Sequence, residues 1–213
     1  MCVLRVLVCL LVVPLSVAMA DSVPSMSSEV QTQVFNMGGS GFVNLWQQAL
    51  RLQARLAGSV PAPGGGVMAK TMVVPHGRHM VNLVPAGASH PLYGDSPEST
   101  SMRSAFLNDS FIDRDVAADD PAMATEGGLE ITNFNNNKLL FQNTDGALTV
   151  NTLPVLETAL LSDGTRVYLV DGLLFGHGAQ VREAFSRQQE QMKQAGTGGP
   201  GCAGGLCPKP RPQ

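Results

Sequence analysis

Two of the chain's four histidines, His76 and His79, stand three residues apart. On a helix that spacing lets two imidazoles share a metal ion, but a site needs a third ligand and a carboxylate behind it. His90 is the only other histidine near them in sequence, and no cysteine or acidic residue follows before Asp95. His76 and His79 are therefore read as exposed loop histidines, and no metal is expected. Asp115, Asp119, Asp120 and Glu126 crowd the stretch 113–128, yet their spacing is not that of a calcium loop, so they read as a solvated surface loop. Gly38-Gly39-Ser40-Gly41 is neither a phosphate loop nor a nucleophile elbow. No Lys-Ser/Thr follows it, and Phe42 stands two after Ser40, where the elbow needs glycine. No pair or triad stands out as catalytic and no dinucleotide glycine pattern follows a strand, so neither an enzyme nor a cofactor is expected.

Other residues point to modification and export. Arg5, the apolar run Val6 to Val13 and the small-x-small Ala18-Met19-Ala20 make residues 1–20 a signal peptide cleaved after Ala20. The run is broken at Pro14 and too short to span a bilayer, so the expectation is a secreted, extracellular protein with no membrane span. In that compartment Asn108-Asp109-Ser110 is an acceptor for N-linked sugar at Asn108. Cleavage removes Cys2 and Cys9 and leaves Cys202 and Cys207, which pair within one chain or between two. The short internal loop is the favoured pairing. The net charge is −3, and no basic cluster marks a nucleic-acid binder.

These residues sit on a chain that divides readily. Residues 21–33 are polar and Ser-rich, a disordered lead-in. Phe42, Leu45, Trp46, Ala49, Leu50, Gln53 and Leu56 fall on one face of a helix, with the glycine run before them as a flexible approach. A loop rich in Pro and Gly leads to the apolar segment from Thr71. Ser101 to Ile112 reads as a short helix running into a strand. Lys138–Phe141 and Ala147–Val150 flank Thr144-Asp145-Gly146, and Val155–Leu161 and Thr165–Val170 flank Ser162-Asp163-Gly164. An Asp-Gly pair between β-prone runs predicts a hairpin, because glycine supplies the positive φ of the turn. Arg166–Asp171 alternates only roughly and reads as a strand covered on both faces. Residues 177–195 predict an amphipathic helix with Val181, Ala184, Phe185 and Met192 on one face. The Gly/Pro-rich stretch 196–213 predicts a disordered tail.

Thr149-Val150-Asn151, Val155, Asp163-Gly164, Val167-Tyr168-Leu169-Val170-Asp171 and Leu173-Leu174 resemble the closing strand-turn-strand block of fasciclin-like domains. Thr71, Met72-Val73, Pro75 and Met80 resemble that family's earlier segment in order and distance. Together they delimit a domain over 34–176. The resemblance implies a compact twisted β-sandwich or wedge with several short helices, an α+β fold. The sequence departs from the family where Tyr168 replaces a frequent histidine. Ser110 stands where another histidine belongs to the region linked to integrin contact in some members. No Arg-Gly-Asp tripeptide occurs.

The expected function is a secreted module for cell adhesion or extracellular-matrix interaction, with matrix or cell-surface proteins as partners. The alternative is a carrier that binds a small apolar ligand inside the domain. A hydrolase whose site assembles only in space is the third reading.

Overall fold

A computed structural model of the chain describes Pro24, residues 27–57 and residues 69–197. Ala20, Cys202 and Cys207 lie outside the described residues, so signal cleavage and the disulfide find no test there. The described chain is a mixed α+β fold in which seven strands form one sheet in the order β2-β1-β7-β6-β5-β4-β3.

The centre of the sheet is β1 (Thr71–Pro75) beside β7 (Arg166–Val170), paired in parallel with Thr71 opposite Arg166 and Pro75 opposite Val170. Side chains alternate between the faces of a strand. Met72, Val74, Val167 and Leu169 enter a core shared with the helices, while Val73, Tyr168 and Val170 enter a second core with Leu139, Phe141 and Val150. Both faces are covered, which explains the nearly continuous apolar run in each strand. Tyr168 brings a phenol into the second core and donates its hydroxyl to the Val116 carbonyl at 2.6 Å. Burial pushes that phenol up to about 12.

The other strands are antiparallel. β2 (Phe111–Ile112) flanks β1, and β6 (Leu153–Leu160) flanks β7. Beyond β6 lie β5 (Ala147–Val150), β4 (Lys138–Thr144) and β3 (Leu129–Thr132). Both predicted hairpins form. Thr144 pairs with Ala147, and the two residues between them, Asp145 and Gly146, have φ of 53° and 85°, the conformation of a tight hairpin turn. The end strands approach each other: the Phe134 amide, just past β3, donates to the Phe111 carbonyl of β2 at 3.0 Å. The sheet thus nearly closes on itself.

Helices cover the outer face of β1 and β7. The predicted helix is α2 (Ser40–Ala57), with Phe42, Leu45, Trp46 and Ala49 buried along one side. Phe42 and Trp46 meet Phe111 edge-on and tilted, at ring centroids 5.9 and 4.9 Å apart. Each such side chain taken out of water stabilises the fold by about 1.5–3 kcal/mol. The lead-in is not disordered over its described part. Ser28–Val34 is a helix, α1, capped by the Ser27 hydroxyl on the Val30 amide and buried through Val30 and Val34, one turn apart. The glycine run that follows is no flexible approach either. A π-helical turn kinks at Gly38, with φ of 102°, and a Cβ at Gly39 would stand 2.8 Å from side-chain atoms of Val34 and Val74. Only glycine lets α1 and β1 close up there.

The remaining helices are α3 (Gly77–Val81), α4 (Pro97–Asn108) and α5 (His177–Thr197). α5 docks through Val181 and Ala184, which are buried, whereas Met192 on the predicted face is exposed. Among the described residues no helix is long and apolar enough to cross a membrane.

Candidate functional site

The α4–β2 junction carries the polar triplet Asn108-Asp109-Ser110 inside an apolar stretch from Phe106 to Ile112. The chain turns there from helix to strand and buries all three, at 6%, 3% and 3% exposure. Asn108, the expected acceptor for N-linked sugar, therefore lies inside the fold. The folded chain offers no exposed amide at Asn108, and its side-chain oxygen is buried without a hydrogen-bond partner. A sequon is a local pattern and carries no information on burial. Ser110 spends its hydroxyl on the Phe106 carbonyl at 3.1 Å.

Asp109 is the hub of a buried network. Its carboxylate accepts from Asn133 Nδ2 at 3.0 Å, from Asn137 Nδ2 at 2.7 Å and from His177 Nε2 at 2.9 Å. Asn133 also accepts the amides of Asn135 and Asn137 at 3.0 and 2.9 Å, which folds the Asn-rich turn between β3 and β4 around the hub. His177 opens α5, and its Nδ1 lies 3.2 Å from Gln180 Oε1. Burial raises the Asp109 pKa, but the hydrogen bonds from His177 and Asn137 outweigh it and hold the carboxyl below the usual carboxylate range. An Asp–His pair suggests acid–base catalysis, yet both imidazole nitrogens are engaged here, one by Asp109 and one by Gln180. The pair joins α5 to the α4–β2 junction.

A second carboxylate–imidazole pair lies near the surface. Asp171, just after β7, accepts from the Arg78 guanidinium and sits 2.5 Å from His79 Nε2. Those hydrogen bonds, Arg78's first, lower the Asp171 pKa. His76 accepts the Arg78 amide at 3.3 Å as the N-cap of α3. His76 and His79 are thus not exposed loop histidines. One caps a short helix and the other is tied to Asp171, and both are half-buried. His90 is half-buried in its own loop, accepting the Leu92 amide at 3.2 Å with its ring edge-on to Tyr93. Among the described residues no group of three or more His, Cys, Asp or Glu could hold a metal.

The acidic stretch is anchored at two points: Asp115 pairs with Arg166 at 2.9 Å and Asp120 caps a short 3₁₀ turn. Two open grooves mark the helical side. One, about 450 Å³, is lined by residues of α3 and the start of α5. The other, about 400 Å³, runs between α4 and α5 and includes Met102, Gln180 and Arg187.

No family model matches the chain, and no curated protein matches it either.

Proposed function

We propose that the chain is a secreted fasciclin-like module that works in cell adhesion or matrix interaction and does no catalysis. One observation carries this reading. The two segments that resemble the family, Thr71 to Met80 and Thr149 to Leu174, are far apart in sequence, and strands within them become hydrogen-bonded neighbours, β1 beside β7 beside β6. The proposed architecture is the twisted sandwich or wedge of that family, built from the seven strands and flanked by α1–α5. The partners on this reading are matrix or cell-surface proteins. Contact through the family's integrin-linked histidine is not part of it, since Ser110 stands there and is buried.

The direct test is to present the secreted protein to a panel of matrix and cell-surface proteins and read binding by surface plasmon resonance. The expected result is saturable binding to at least one member and attachment of cells that display it. Absence of binding across the panel, together with hydrolysis of a generic ester or peptide substrate, would overturn the reading.

The alternative, a carrier for a small apolar ligand, draws on the groove beside α3, where Leu83 and Leu173 form an apolar wall. Co-purification of a hydrophobic molecule with the secreted chain would favour it.

A further inference from the structure

β6 is an inner strand of the sheet, yet one of its edges is open beyond Pro154. β5 pairs with it only at Leu153 and Pro154, opposite Val150 and Thr149. An irregularity between Val155 and Glu157 then shifts its register against β7, and such a bulge bends the strand that carries it. From Glu157 to Leu160 the only strand beside β6, among the described residues, is β7. Hydrogen bonds at the end of this hairpin fix which peptide groups face the open side. Leu161 donates to the Thr165 carbonyl at 2.8 Å, while Arg166, opposite Leu160, turns its amide away to the Lys70 carbonyl at 2.9 Å. Residues of an antiparallel strand alternately bond their partner and face away from it. Leu161, Ala159 and Glu157 therefore bond toward β7, and the N–H and C=O groups of Thr158 and Leu160 point to the open side. Among the described residues no backbone group bonds them there. The side chains match that openness: Leu156 and Leu160 are 46% and 61% exposed, and Thr158 between them is exposed as well. Open edges are ordinarily blunted with proline or lysine, and the stretch 156–160 has neither.

We infer that this edge pairs with the same edge of a second copy, antiparallel and centred on Thr158. The sequence Leu156-Glu157-Thr158-Ala159-Leu160 is self-complementary in that register. A two-fold axis at Thr158 sets each Leu156 opposite the other copy's Leu160, and each Glu157 opposite its Ala159. The leucines then make apolar cross-strand pairs, and no carboxylate stands directly opposite another, the arrangement that destabilises a ladder. The backbone agrees, because Thr158, whose N–H and C=O face outward, meets its own copy as a hydrogen-bonded pair. A second copy thus supplies a strand of matching pattern and charge. The contact is small, so the pairing is weak and reversible. It needs only the folded sheet and does not rest on the adhesion reading.

Sedimentation equilibrium of the full secreted chain tests it, with a reducing agent present so that no disulfide links two copies. The mass should rise reversibly from monomer toward dimer between about 1 μM and about 1 mM. Thr158→Lys and Thr158→Glu each set two like charges face to face at the axis, and each alone should stay monomeric. Mixed in equal amounts, the two variants should form a heterodimer, because lysine then faces glutamate. Thr158→Pro deletes an outward N–H and leaves the bonds to β7 intact, so it should abolish the dimer too. Thr158→Val should keep it. All four variants should melt with the wild type, since position 158 is exposed. A wild type that stays monomeric to about 1 mM would overturn the inference and leave the edge to a strand of another protein. So would a dimer that survives Thr158→Lys and Thr158→Pro, or charged variants that fail to associate when mixed.

Discussion

Two aspartate–histidine pairs do opposite jobs in this molecule. At Asp109–His177 both side chains are about one-twentieth exposed, and the carboxylate is met by a ring nitrogen and two asparagine amides. At Asp171–His79 each side chain is about one-third exposed and an arginine shares the carboxylate. The chemistry of the two pairs is the same and the solvent is not. In the interior an unpaired charge has no water to fall back on, so the worth of the first pair lies in what its removal strands. Near the surface water replaces a lost partner, and the second pair mainly fixes where Arg78 and His79 point.

The largest effect should come from the interior. Asp109→Ala strands His177, Asn133 and Asn137 in a site closed to water, and should cost about 3–5 kcal/mol in urea unfolding. Asp109→Ala with His177→Ala should cost less than the sum of the two singles, with a coupling of about 0.5–3 kcal/mol. The same cycle on Asp171 and His79 should show no coupling outside error. Equal couplings at the two sites would erase the distinction drawn between them.

How much of this was legible in the sequence divides along the same line. The hairpins were, because Asp145-Gly146 and Asp163-Gly164 encode their turns locally, and Gly146 and Gly164 both take positive φ. The long helix was too, since Phe42, Leu45, Trp46 and Ala49 repeat at its period. α1 was missed because only Val30 and Val34 are apolar in a polar segment, although a Ser cap ahead of two valines one turn apart was there to be read. The parallel pairing of β1 with β7 joins residues 95 positions apart, as at Thr71 and Arg166, which no local pattern encodes. The Asp109–His177 pair spans 68 residues. Its one local sign was a polar triplet inside an apolar run.

A smaller effect separates the pairs by pH. Asp109 has a lowered pKa in the folded chain, so its contribution is fully present above the unfolded value of about 3.9 and is lost as pH falls through the folded value. Unfolding free energy should therefore drop on the acid side of about pH 4. Asp109→Asn should flatten that limb, while Asp171→Asn should change it much less. A wild-type profile unchanged by Asp109→Asn would show that the acid limb comes from other carboxylates.

The smallest effect should belong to Asp171 itself, and it should depend on salt. Its carboxylate is partly solvated and its partner Arg78 is half-exposed, so removing the charge costs little folding energy. Asp171→Ala should lower the melting temperature only slightly at low ionic strength. That difference should shrink further near 1 M salt, where charges beyond about 3 Å are screened. The larger consequence should be local. Without Asp171, Arg78 and His79 lose the acceptor that aims them, and hydrogen exchange in α3 should speed up while the β1 and β7 amides stay protected. Loss of protection in β1 or β7 would mean that the surface pair supports the central strands after all, and the contrast with Asp109–His177 would be one of degree.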